Sequence, residues 1–212
     1  MLNKELIKKF FSQTVRKDFT SNIIYAVVTG IVVGLSAVLF HNSIEFFNDL
    51  FFHQTASGLF FLGAAAVIVI PAIGMLIQSV MILLSPDYAS KKGVTEVIKA
   101  VALNGNRIPL RSTIFNFLAS VISIGSGNTV GPEGPAARLG GGIANKLAFI
   151  FNLSDSKKSI LTAAGAGAAI SAIFNTPIGG IFLNILLKIL SVLFEYSTNK
   201  KEIIPASTPR NA

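Results

Sequence analysis

"GSGNTVGPEGPAARLGGG", residues 125–142, is the stretch on which the fold turns. It carries one carboxylate, Glu133, between Pro132 and Gly134, and apolar stretches flank it on both sides. Its core, "GPEGP" (131–135), has the chemistry of a helix start. Proline is favoured in the first turn, where its missing N–H costs nothing. The neighbouring glycines let a ligand approach the backbone closely. The first N–H groups of a helix have no partner within it. Through the macrodipole that end carries roughly half a positive charge. Where water cannot satisfy those groups, the helix end is a site for an anion.

Glu133 then has two readings. An acid in a first helical turn stabilises the helix by a few tenths to about 1 kcal/mol, and in a soluble protein that would suffice. In a membrane an ionisable side chain is costly and marks function. There the carboxylate is a tethered anion that competes with a permeating one for the same N–H groups, and protonation would release it and open the site.

Composition decides for the membrane. Of 212 residues, 51% are hydrophobic and 13% charged, and the mean hydropathy is +0.65. Soluble domains carry about 25% charged residues. There is no cysteine, which excludes disulfides, thiol chemistry and Cys-ligated metals. The histidines are His41 and His53, with no HExxH-like cluster, so metal catalysis has little to build on. The formal net charge is +8. It is not an aromatic-laced patch for nucleic acid. Lysines and arginines cluster at the start (Lys4, Lys8, Lys9, Arg16, Lys17), in short polar breaks (Lys91–Lys92, Lys157–Lys158) and near the end (Lys200–Lys201). That distribution suits cytoplasmic loops. Residues 1–22 have no continuous apolar core and no small-residue cleavage site, so they are expected to form a cytoplasmic amphipathic helix rather than a cleaved signal.

Residues 23–47 are long enough to cross about 30 Å of hydrocarbon and contain Gly30 and Gly34 at a spacing that permits close helix packing. The same spacing arises readily by chance in a glycine-rich chain. Residues 48–57 hold Asp49 and no Lys or Arg, which places them outside. Residues 58–84 form a second span with Pro71 inside it. "SPDYASKKG" returns to the cytoplasm. The later apolar segments are shorter: 94–103, 110–124, a helix from about Glu133 to Phe151, one from Ser159 to Phe174, and one opened by Pro177 that extends to about Tyr196. Ser154 or Asp155 suits the N-cap before the fourth. Residues 197–212 are polar and expected to be disordered. The expectation is an all-α membrane bundle over 23–196 with short, half-spanning helices. Broken backbone survives at membrane depth only where it is buried or lines a cavity, which points to a site there. Arg138, on the same helix as Glu133, has three destinations open to it: a carboxylate, a carbonyl, or the surface by snorkelling.

"GPEGPAARLGGGIANKLA" (131–148) resembles the signature of the chloride channel (CLC) family, in which G-x-E-G-P opens a half-buried helix. "AAGAGAAISAIFNTPIGGIFL" (163–183) resembles that family's next block, a small-residue helix followed by Phe-Asn-x-Pro and Gly-Ile. With the lead-in "KKGVTEVIKA" (91–100), the resemblance covers 23–193. It implies a fold of two inverted-topology repeats and a homodimer in which each subunit has its own anion pathway. It implies Glu133 as gate, with the backbone at Gly131, Pro132, Glu133 and Gly134 contacting chloride or another small anion. The family's first anion-binding turn, Gly-Ser-Gly-Ile-Pro, aligns with Lys91, Lys92, Gly93, Val94 and Thr95. Lys92 thus stands for the central serine, either facing the anion or as a loop lysine. Pro132 replaces a common arginine. Leu186 and Leu187 stand where exchangers of this family carry an internal proton-accepting glutamate, which argues against proton coupling. The resemblance implies no cofactor. It covers only the first repeat, so a partner is expected: a second polypeptide or another copy. The chain is expected in the plasma (inner) membrane, N-terminus cytoplasmic, as half of an anion channel or transporter. The alternative is a truncated, non-transporting fragment that is inert or modulates a full-length relative. An enzyme is disfavoured, because one acid without base, metal or nucleophile makes a poor active site.

Overall fold

The computed structural model describes residues 4–54, 65–89, 93–103, 107–187 and 189–190, and every regular element among them is helical. Helix α1 spans Lys4–Asp49, 46 residues, and runs into a π-helical turn at Leu50–Gln54. No Gly or Pro precedes Gly30, so nothing in the backbone chemistry breaks the helix where the basic segment meets the apolar span. Residues 4–22, expected to be helical, are continuous with the span. Helix α2 spans Ala66–Leu84 with Pro71 inside it. The first part of the expected second span, 58–64, and the tail 197–212 lie outside the described residues, as does the expected extension of the last helix to Tyr196.

The remaining helices are α3 (Pro86–Ala89), α4 (Gly93–Ala102), α5 (Leu110–Gly125), α6 (Glu133–Ile150), α7 (Asp155–Phe174) and α8 (Pro177–Leu187). At 1.5 Å per residue, α4 is about 15 Å long, and it falls far short of a membrane. Two stretches are long and apolar enough to cross, Thr20–Phe52 and Val67–Leu84. Their best windows are only 22% and 11% buried within the chain, so most of their Val, Ile and Leu surface faces outward. In water such surface would be covered; against lipid it needs no cover.

Helices α6 and α7 form the centre. Their apolar residues are mostly Gly and Ala, which lets the backbones approach. A Cβ added at Gly140 would collide with the carbonyl oxygen of Gly165 and with Ala169. By contrast, Gly30 and Gly34 face open space, so their spacing serves no packing within the described residues. The core around Val97, Val101, Ile108, Ala137, Ala163, Ala166 and Leu187 joins α4, α6, α7 and α8. Buried polar side chains tie it together. Asn145 Oδ1 accepts the Ile108 N–H at 3.0 Å, and Asn145 Nδ2 donates to Thr162 Oγ1 at 3.1 Å. Ser159 Oγ donates to the Val101 carbonyl at 2.7 Å. Polar links of this kind hold helices together where lipid offers no hydrophobic drive. Ser154 is the N-cap of α7, with extended backbone and no side-chain cap bond, and Asp155 opens the helix.

Candidate functional site

The loop between α5 and α6 is tied down before α6 begins. Asn128 Nδ2 donates to the carbonyl of Ser123 at 3.1 Å, to Ser126 Oγ at 3.1 Å and to the carbonyl of Pro71 at 3.3 Å. Ser126 Oγ in turn donates to the Ser123 carbonyl at 2.8 Å. Gly127 holds φ +88°, a left-handed backbone, and an added Cβ there would lie 2.9 Å from the Phe52 ring. The α1 end is tethered to the same corner, since Asn48 Nδ2 donates to the Gly125 carbonyl at 3.3 Å.

Glu133 is the first residue of α6, and Pro132 is its N-cap, with no side-chain cap bond. Neither Pro132 nor Pro135 has an N–H, and the Ala136 N–H donates to the Pro132 carbonyl at 2.9 Å. The donors left at this helix end are the N–H groups of Glu133 and Gly134. The Glu133 carboxylate turns back toward Gly131. A Cβ built on Gly131 would overlap Glu133 Oε2 and lie 3.0 Å from Oε1. Gly134 faces the start of α4: its added Cβ would lie 3.9 Å from the Gly93 Cα. Two helix N-termini, those of α4 and α6, thus meet at Gly93 and Gly134.

Of the expected site residues, this corner brings together Gly131, Pro132, Glu133, Gly134 and Gly93, with Val94 next on α4. Lys92 lies outside the described residues. Glu133 and Gly131 are exposed, and the others are half-buried. The expected burial of Glu133 is therefore not met within this chain, because no described element covers that end of α6. Leu187 is buried in the core and Leu186 is exposed, so neither position offers a carboxylate. Arg138 does not snorkel. It is 0% exposed, and its Nη2 donates to Ser112 Oγ at 2.9 Å. The partners that fix the site, Asn128 and Ser112, were not singled out from sequence. Asn128 had one signal available, as the one amide side chain in the glycine-rich loop.

Among the described residues, two short helices of this bundle thus begin at one corner. The Voltage gated chloride channel family matches residues 73–198, more than half of the chain, and the chain belongs to that family of integral membrane channels and transporters. It is 30% identical over 196 residues to chloride channel protein CLC-e of Arabidopsis thaliana, covering 86% of this chain and 26% of that protein. It is 27% identical over 195 residues to the H(+)/Cl(-) exchange transporter ClcA of Yersinia pseudotuberculosis, covering 89% of this chain and 40% of the relative. Its fold matches a slow cyanobacterial Cl-/H+ antiporter with a TM-score of 0.61 at 21% identity, over 81% of this chain and 45% of that one. A CLC-type fluoride/proton antiporter matches with a TM-score of 0.60 at 22% identity, over 91% and 51%. The chain spans a quarter to a half of the length of these relatives.

Proposed function

We propose that this chain is the first inverted repeat of a CLC-type pathway and supplies one half of a chloride site gated by Glu133. The observation that carries the reading is the meeting of the α4 and α6 N-termini at Gly93 and Gly134, with the Glu133 carboxylate turned back toward Gly131. A chloride ion takes the place of that carboxylate at the N–H groups of Glu133 and Gly134, beside the first amides of α4 at Gly93 and Val94. The carboxylate is the gate: it blocks the cradle when charged and leaves it when protonated. Lys92, immediately before Gly93, adds positive charge at the α4 end. With leucines at 186 and 187, the pathway conducts without proton coupling. The exposure of Glu133 and the outward apolar faces of α1, α2 and α8 support a partner, either a second polypeptide carrying the other repeat or a second copy in a homodimer. The positive charges at the start and in the α3–α4 connection favour a cytoplasmic N-terminus in the plasma (inner) membrane. The same apolar faces also suit a second reading, a non-transporting fragment that docks on a full-length relative.

Chloride efflux from liposomes tests the proposal, with the chain alone and coexpressed with a candidate second half, beside Glu133→Gln. Efflux that the substitution raises is the expected result. Efflux indifferent to Glu133 refutes the gate, and no efflux from either preparation supports the non-transporting fragment.

A further inference from the structure

Between the head of the apolar span in α1 and the head of α7 lies an open groove of about 380 Å³. That volume falls within the roughly 300–1,000 Å³ of ordinary ligand sites. The span begins at Thr20, so the groove sits where the membrane meets water. Its polar side chains, Asn22 and Lys157, stand near the two helix starts. Further in it is apolar: Ile23 and Ile160 are exposed beside it, and Ala26 and Ala164 leave room between the helices. Ala164 lies about 10 Å along α7 from Lys157. Tyr25, also in the wall, stacks on Phe151 with ring centroids 4.9 Å apart. Tyrosine at this depth marks the headgroup level. No Asp or Glu lines the groove. The acid in the first turn of α7, Asp155, accepts from Lys158 Nζ at 2.9 Å, and neither of that pair lines it. Lys157 is half-buried, where its field is screened less than in open water.

We infer that this groove holds one anionic phospholipid, its phosphate at Lys157 and Asn22 and an acyl chain along Ile160 and Ala164. The order of chemistry along the groove, a cation and an amide at the water end and an apolar furrow below, is that of such a lipid read from headgroup to tail. A soluble anion would use only the upper end, and a neutral apolar molecule only the lower. Basic pockets between membrane helices select anionic headgroups in this way. Seated there, the lipid bridges α1 to α7 at the rim of the membrane. The inference does not depend on the reading of Glu133.

Native mass spectrometry of the purified full chain in detergent, with dioleoyl phosphatidylglycerol or dioleoyl phosphatidylcholine added, counts bound lipid and gives each Kd. Wild type is expected to retain one phosphatidylglycerol and to hold it more tightly than phosphatidylcholine. Lys157→Gln should weaken phosphatidylglycerol about fivefold, the share of one lysine at a membrane surface, and leave phosphatidylcholine as it was. Lys157→Arg should keep the wild-type affinity. Lys158→Gln removes the same charge from α7 outside the groove and should also keep it. Ala164→Phe fills the furrow and should weaken both lipids. Equal retention of the two lipids by wild type overturns the inference, since the groove would then take any acyl chain or detergent. Equal losses in Lys157→Gln and Lys158→Gln overturn it as well, because the attraction would be diffuse. Lipid-free dimers that Ala164→Phe separates would give the groove to a second copy and overturn it. So would wild-type lipid binding in folded Ala164→Phe. If that variant does not fold, Ile160→Asn, at an exposed position, takes its place, and unchanged binding there overturns the inference.

Discussion

Gly131→Ala should displace the carboxylate of Glu133, the proposed gate, without touching that residue. The new Cβ would occupy the position now held by Glu133 Oε2. What must yield is the far end of a flexible side chain, so the carboxylate swings away while the backbone stays. Gly131 is not at positive φ, and alanine suits its conformation. The interaction lost is that of a carboxylate with a helix N-terminus, about 0.3–1 kcal/mol for an exposed group. At 1.4 kcal/mol per tenfold, the carboxylate's hold on the cradle falls by a factor of roughly 2 to 5. Under the proposed competition for the same N–H groups, the apparent chloride affinity at the helix end should rise by that factor. Calorimetric titration of the purified chain with chloride, in detergent, reads that affinity. Wild-type affinity in Gly131→Ala, alongside tighter binding in Glu133→Gln, would refute the placement of the carboxylate over Gly131. Wild-type affinity in both would refute competition altogether.

Two further outcomes concern the scaffold. Gly140→Ala adds a Cβ against the Gly165 carbonyl and Ala169, an overpacking that costs about 1–3 kcal/mol, whereas Gly30→Ala meets nothing and gains helix propensity. Melting in detergent should place Gly140→Ala below Gly30→Ala by about 2–12 °C at 2–4 °C per kcal/mol; equal midpoints would refute the tight α6–α7 crossing. Asn145→Leu strands the buried Ile108 N–H at a cost of about 1–3 kcal/mol. Its midpoint should fall accordingly, and an unchanged one would mean that the Asn145 link carries no stability.

Local chemistry made much of this legible. Pro109, the prolines of "GPEGP", Ser154 and "NTP" stop or start helices for reasons confined to a few residues, and the boundaries of α4 to α8 follow them. The helix start at Glu133 was legible for the same reason, because a helix N-terminus is a local object. What depends on distant partners was not. The hydroxyl that receives Arg138 lies 26 residues away in sequence, and the carbonyl that anchors Asn128 lies 57 away. Neither pairing has a spacing rule. Helix α1 runs unbroken from the basic segment into the apolar span, across a change in polarity. Polarity determines which solvent a helix meets; only backbone chemistry ends the helix.

The two prolines at the start of α6 set a coordination number. They remove N–H groups by covalent structure, so no breathing of the first turn can restore them. The next candidate, Ala136 N–H, is already bonded to the Pro132 carbonyl at 2.9 Å. An ion resting here meets the amides of Glu133 and Gly134 from one helix and those at the head of α4 from another. Whatever else surrounds an ion at the proposed site, the prolines cap what the first turn of α6 can donate at two amides.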